Sequence, residues 1–304
     1  MPSYAFVPLF AVDAFGILTG WFGCRFSPVK ILRLYAVALW AAVVGVVLRR
    51  IAVGNPEITL LEVCRQFRSF WFLHAYVMMM MFAPVADGAF EASRGNPKKF
   101  LRVVAPAIFV IFVWRWLGVE TGGLALFRLG IPPLPGLPRN GYSGIMLFGC
   151  YMAGRALRIL DDSGCRMPLR AAWAVFFAGL AVSWGFTAAT GSGFLESYIS
   201  PMMLAMAVAS FEIFRRARLG GGRIACFVAP SVFAIYLSQV TLFGISCTIK
   251  LNEVLSSYTG IDGFPAAAVV TLALTILPLV ADILRRFAIS AVRRTLRKVE
   301  RLKG

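Results

Sequence analysis

Apolar residues along the chain gather into blocks close to the thickness of a bilayer, separated by short polar stretches that contain Gly or Pro. Nine blocks stand out, at approximately 4–23, 31–48, 69–86, 101–118, 141–160, 171–190, 198–214, 224–247 and 264–284. Each approaches the roughly 20 apolar residues that a helix needs to cross a membrane. The connectors, such as "GNPEIT", "SRGNPKK" and "GIPPLPGLPRNG", are too short to hold a soluble domain, and no internal repeat is visible. The pattern predicts an all-α, polytopic transmembrane helix bundle of nine spans over 1–284, followed by a basic tail at 285–304.

Composition agrees: 59% of the 304 residues are hydrophobic and 15% are charged, against about a quarter charged in soluble domains. The formal charge of +17 first suggests nucleic acid as a partner, and the placement of the basic residues decides the matter. With the N-terminus outside and sides alternating, only Arg49, Arg50, Arg65, Arg68, Arg115, Arg128, Arg139 and Lys250 fall outside, and the other 23 of 31 fall inside. That is the positive-inside asymmetry of a membrane protein, with a cytosolic C-terminus, and it removes the nucleic-acid reading. The six cysteines, at 24, 64, 150, 165, 226 and 247, show neither a disulfide framework nor metal-ligand spacing. The N-terminus lacks a basic region and a cleavage site of the signal-peptide kind. In the tail, Val292, Leu296 and Val299 recur at helical spacing among basic residues; this suits either an anionic inner leaflet or a solvated end that fixes topology.

Several residues carry candidate chemistry. Asp13 lies inside the first span, and an acid there faces a bundle interior or a water-filled cavity. It can orient a histidine or an acceptor hydroxyl, or hydrogen-bond a neighbouring helix. Lys30 and Arg33, three apart, share one face at a helix start; they suit the phosphates of a ligand or serve as flanking positive charge. His74 is the single histidine, either a general base or a packing residue near the interface. Trp71 and Tyr76 fit an aromatic belt, and Met78–Met81 runs round a whole helical turn as adaptable packing. "LGGGR" at 219–223 lacks the Lys-Ser/Thr of a phosphate loop and reads as a connector. No ligand cluster implies a metal.

The run "VDAFGILTGWFG" resembles the second span of the acyltransferase family 3 integral-membrane O-acyltransferases, where the pattern is roughly "VDLFFVLSGFL". "KILR" stands where that family has R-x-x-R. "FWFLHAYVMMMMFAPVAD" resembles "WFLxAYLxLYLLSPxLN", with Asp87 in place of Asn, and "GYSGIMLFGCYMAGRALR" resembles "FxxLYLxGxYxR" through Tyr151 and Gly154. "SPMMLAMAVASFEIF" and "PSVFAIYLSQV" match later family spans.

The resemblance implies transfer of an acyl group, most simply acetyl, from acetyl-CoA to a hydroxyl of a cell-surface or lipid-linked glycan, in the plasma or inner membrane. Lys30 and Arg33 would hold the donor, Asp13 and His74 are the catalytic candidates, and Trp71, Tyr76, Tyr151 and Tyr236 would shape the substrate pocket. Two features depart from the pattern. Ser238-Gln239 stands where the family often has His, and the family's first span, which bears a catalytic His, has no counterpart. Ten spans are expected of the complete fold, so Met1 reads as an internal start and Asp13 as facing a helix upstream of it. Two other readings are a transporter or exporter using Asp13, Glu212 and Asp282 as an intramembrane path, and a family member that folds without catalysing.

Overall fold

The computed structural model describes residues 9–53, 59–93, 96–120, 143–192, 194–195, 197–217, 222, 227, 231–239, 241, 272, 276, 279–287 and 289–290. All regular structure among them is helical. The helices are α1 (Leu9–Phe22), α2 (Pro28–Val53), α3 (Leu60–Arg68), α4 (Trp71–Ala92), α5 (Pro97–Ile108), a π-helical turn (Phe109–Trp114) leading into α6 (Arg115–Glu120), α7 (Gly144–Asp162), α8 (Leu169–Thr190), α9 (Pro201–Arg216) and α10 (Val232–Gln239). Residues 279–287 are helical as well.

Eight of the nine expected spans overlap a helix, and the ninth overlaps the helical residues from 279 onward. Four stretches are long and apolar enough to cross a membrane: Pro28–Ile51, Trp71–Ala92, Pro97–Leu117 and Leu169–Thr190. α1 is a shorter apolar helix. The chain is an all-α membrane protein. The tail beyond 290, most of 219–223, and Cys226 and Cys247 lie outside the described residues.

The chain divides into two compact units. The first contains Met1–Pro28 and Trp71–Leu219, the second Val29–Phe70 and Gly220–Gly304. In the first unit α7 is the central helix, packed against α1, α4 and α5, while α9 packs on α1 and α8. A helix buried on every side must be apolar all round. In α7 the buried set runs through Gly144, Met146, Leu147, Gly149, Cys150, Tyr151, Ala153, Gly154, Ala156 and Ile159.

Small residues set how closely the neighbours approach α7. Gly16 and Gly20 of α1, four apart, meet Cys150 and Tyr151, and Gly154 meets the backbone of Ile17, Gly20 and Trp21. A Cβ at Gly20 or Gly154 would overlap a backbone carbonyl of the facing helix. This is the small-xxx-small contact by which helices associate in lipid, where water supplies no drive between apolar faces. Gly149 likewise accepts the Phe112 ring and Gly144 the Met78 side chain.

The pairings Gly16 with Leu147 and Gly154 with Trp21 run α1 and α7 parallel, and Met78 with Gly144 together with Asp87 and Tyr151 does the same for α4. One end of the first unit therefore collects Arg155, Arg158, Arg166, Arg215 and Arg216 with the acids Asp87, Asp161, Asp162 and Glu212. Trp21 lies between two guanidinium groups there, Arg158 at 5.2 Å and Arg215 at 4.8 Å.

The second unit holds α2, α3, α10 and residues 279–290. The apolar pattern places α3 in a connector, yet it is a capped amphipathic helix. Thr59 Oγ1 accepts the Glu62 N–H at 3.3 Å, the reciprocal spacing of a capping box. Arg50 of α2 donates Nε to Glu62 at 3.1 Å, and the hydrogen bond from this guanidinium holds the Glu62 carboxyl below its usual range. Asp282 accepts Ser231 Oγ at 2.7 Å and Arg285 Nε at 2.9 Å.

Candidate functional site

Asp13, Gly16, Ile17 and Gly20 recur at i, i+3, i+4 and i+7, so they share the face of α1 turned to α7. The two glycines that bring the helices together thereby carry Asp13 into the interior, where it is 0% exposed. Cys150 is the polar side chain set against it. Neither carboxyl oxygen of Asp13 meets the geometry of a hydrogen bond, and Cys150 Sγ is directed at Met146 Sδ, 3.8 Å away. Within the chain, this carboxyl is covered by the packing of α1 on α7.

An intramembrane acid without a fixed donor is uncommon. Its insertion costs about 2.5–3.5 kcal/mol on biological scales, and hydrogen bonding ordinarily offsets part of that. Both carboxyl oxygens thus keep unused acceptor capacity behind the packing of α1 on α7. His74 is half-buried on α4, and no hydrogen bond joins it to Asp13. The two candidates do not form a His–Asp dyad.

Trp71 and Tyr76 lie on α4 next to α1. Trp71 packs against Tyr198 with ring centroids 5.4 Å apart, and Tyr76 contacts Phe15 at 5.5 Å. The Tyr76 hydroxyl meets the side chains of Cys24 and Thr19. Tyr151 has no exposed surface; its hydroxyl donates to Asp87 Oδ1 at 2.6 Å and accepts the Cys24 N–H at 3.1 Å. Arg155 Nε donates to the same Asp87 oxygen at 2.7 Å. The sequence marked Asp87 only as a departure from Asn, and here it joins α4 to α7 and to the turn after α1.

At the opposite end of the first unit lies Arg115, one of the basic residues that the charge pattern assigns to the outer side. Arg115 follows the π turn and is 3% exposed. Its NH1 donates at 3.0 Å to Ser143 Oγ, the hydroxyl that caps α7 by accepting the Met146 N–H at 3.3 Å. Trp116 beside it donates Nε1 to the Phe194 carbonyl at 2.9 Å, with the two rings 4.5 Å apart. The signal was legible in "IFVWRWLG", a charge inside an apolar run, by the reasoning that flagged Asp13. π turns, which recur at functional sites, leave no such mark in a sequence.

Lys30, Arg33 and Tyr236 belong to the second unit. Lys30 and Arg33 are exposed in the first two turns of α2, and Tyr236 is half-buried in α10. Glu212 and Asp282, the further acids of a transport path, are clamped instead: Glu212 by Arg215 at 2.9 Å and Arg216 at 2.7 Å, Asp282 by Arg285 at 2.6 Å. No group of three or more His, Cys, Asp or Glu able to hold a metal occurs among the described residues.

Compared with known proteins, the chain matches the model of acyltransferase family 3, described as an acyltransferase domain, over residues 2–280. No curated protein and no solved structure matches it.

Proposed function

The chain belongs to acyltransferase family 3, and from that membership we propose that it transfers an acyl group, most simply acetyl, from acetyl-CoA to a hydroxyl of a cell-surface or lipid-linked glycan. The observation that carries the residue assignment is Asp13, a fully buried carboxyl with no hydrogen bond formed to either oxygen. The acceptor hydroxyl oxygen attacks the thioester carbonyl and its proton passes to a carboxylate at Asp13. The C–S bond breaks as the C–O ester bond forms, and the coenzyme A thiolate leaves and takes up a proton. Acid–base assistance of this kind typically contributes 10²–10⁴-fold.

Lys30 and Arg33 hold the donor's phosphates in this reading. They stand at the N-terminal end of α2, where the helix already carries partial positive charge, so two cations there oppose the helix dipole by about 0.3–1 kcal/mol each. An anion reverses that penalty, because the helix end and both cations then attract it. The basic excess puts these residues and the C-terminus in the cytosol, where acetyl-CoA is supplied, and the membrane is the plasma or inner membrane. Two of the three acids of the transporter reading, Glu212 and Asp282, are held by arginines, so neither supports that reading as Asp13 supports the transferase.

The test is direct: purified protein in bilayers, given labelled acetyl-CoA and a crude lipid-linked glycan fraction. Label on the glycan in an ester released by mild base supports the reading. Label that stays on coenzyme A, with protein shown to be folded, overturns it.

A further inference from the structure

We infer that α3 binds the phosphate headgroup of an anionic phospholipid of the surrounding bilayer, through Arg65 and Arg68 on its outward face. This binding is independent of acyl transfer and is tested without donor or acceptor.

α3 is laid against α2, a helix long and apolar enough to cross a membrane. Glu62 accepts Nε of Arg50, in the last turn of α2, at 3.1 Å, and the Phe67 and Tyr35 rings lie 5.7 Å apart. These contacts, with the burial of Val63 and Gln66, fix which side of α3 faces the protein. The other side carries Leu60, Leu61, Cys64, Arg65 and Arg68, at i, i+1, i+4, i+5 and i+8, which is one face of a helix. Leu60 is 79% and Leu61 58% exposed, and Cys64, Arg65 and Arg68 are exposed beside them. Two bare leucines are costly in water and at home among acyl chains. The next stretch able to cross a membrane starts at Trp71, three residues after Arg68, so the chain keeps this face at the bilayer. A helix with leucines and basic residues on its lipid side suits an interface.

Charge selects the headgroup. Neither Arg65 nor Arg68 has an ion pair or a side-chain hydrogen bond among the described residues, whereas Arg50, Arg155, Arg215 and Arg285 each hold a carboxylate. Long basic side chains beside apolar surface extend their charged ends to the lipid phosphates, and two guanidinium forks one turn apart match phosphate oxygens. Topology gives these two residues no other task. The charge pattern assigns both to the outer side, against the inward bias of Lys and Arg. A phosphate free in solution would engage the arginines and leave the leucines in water, so the face as a whole fits a lipid.

Cys64 is a built-in reporter, on the same face and next to Arg65. The full chain with Cys165→Ser, Cys226→Ser and Cys247→Ser is labelled there with a fluorophore, since Cys24 and Cys150 are buried. It is placed in phosphatidylcholine nanodiscs with a small share of phosphatidylglycerol or phosphatidylcholine bearing a nitroxide high on one acyl chain. Quenching should show phosphatidylglycerol enriched about fivefold or more beside α3, roughly the factor for one basic residue at an anionic surface. Added salt should reduce the excess. Arg65→Gln with Arg68→Gln should remove the enrichment at an unchanged melting temperature, because both side chains are exposed. Each single substitution should reduce it, and the two single variants serve as the test if the double variant fails to fold. Inorganic phosphate at matched ionic strength should leave the enrichment in place. Equal quenching by the two lipids in the parent, full enrichment in the folded variants, or its abolition by inorganic phosphate would overturn the inference.

Discussion

Tyr151 and Asp87 meet at 2.6 Å, the phenol donating to a carboxylate oxygen that also accepts Arg155 Nε at 2.7 Å. Three elements converge on that one oxygen: α4 through Asp87, α7 through Tyr151 and Arg155, and the turn after α1 through the Cys24 N–H on the phenol. Gly23, at φ +82°, lies against the Arg155 guanidinium, so the backbone takes a left-handed turn where a side chain would not fit. Tyr151→Phe should lower stability by about 1.5–3 kcal/mol, the range for a hydrogen bond to a charged group. Asp87→Ala should cost at least as much, because it strands Arg155, although partial exposure of the carboxylate moderates the loss. A double-mutant cycle on thermal melting in detergent should show coupling; additive losses would mean that the network does not act as a unit.

The glycines of α1 and α7 provide an internal comparison. Gly154→Ala sets a methyl into the backbone of α1, with Ile17 O and Trp21 N in its way, and overpacking of this kind costs about 1–3 kcal/mol or more. Gly88→Ala and Gly185→Ala meet nothing within 4 Å and should be neutral or stabilising by about 0.4–1 kcal/mol. Equal melting temperatures for Gly154→Ala and Gly88→Ala would show that the close helix crossing is not required.

Much of this fold was legible because a bilayer forces it. The apolar blocks gave the spans, since only a helix satisfies its backbone within a single segment in lipid. α3 escaped because nine amphipathic residues fall far below spanning length, although "TLLE" at 59–62 is a readable capping box. The division into two units, with α2 and α3 grouped with the C-terminal third, depends on which distant helices pair, and span patterns carry no such information. In the site, Asp13 was visible as a lone intramembrane acid and its enclosure by Gly16 and Gly20 was not, because small residues acquire meaning only when the facing helix is known. Arg115 was visible as a charge inside an apolar run, whereas its burial against Ser143 depends on helix pairing that the run does not encode.

The topology can be read with native thiols. Cys64 on α3 and Cys165 before α8 are both exposed, whereas Cys24 and Cys150 are buried. The charge asymmetry predicts that 24–30, 87–100, 161–170 and 215–223 are cytosolic. An impermeant maleimide added to intact cells should therefore label Cys64 and spare Cys165 until the membrane is opened. Labelling of Cys165 alone would invert the orientation.

Donor binding should depend on charge at the start of α2. Lys30→Ala with Arg33→Ala should weaken acetyl-CoA binding by about tenfold at low salt, and the loss should shrink as salt rises, because screening already weakens the pair in the parent. A donor analogue without phosphates should not sense the change. Unaltered affinity for acetyl-CoA would return these residues to a purely topological role.

Asp13 and His74 can be separated by substitution, since no hydrogen bond ties one to the other. Asp13→Asn keeps the shape and removes the proton acceptor, so turnover should fall by 10²-fold or more, the loss expected for a general base. The melting temperature should hold or rise, because a buried carboxyl with no hydrogen bond formed is replaced by a neutral amide. His74→Gln on the half-buried face of α4 should leave turnover within a few-fold of the parent. The reverse result, with His74→Gln inactive and Asp13→Asn active, would move the base to the histidine and leave Asp13 a structural role. If both variants stay active, neither residue takes the proton, and the acceptor hydroxyl must lose it to a group elsewhere.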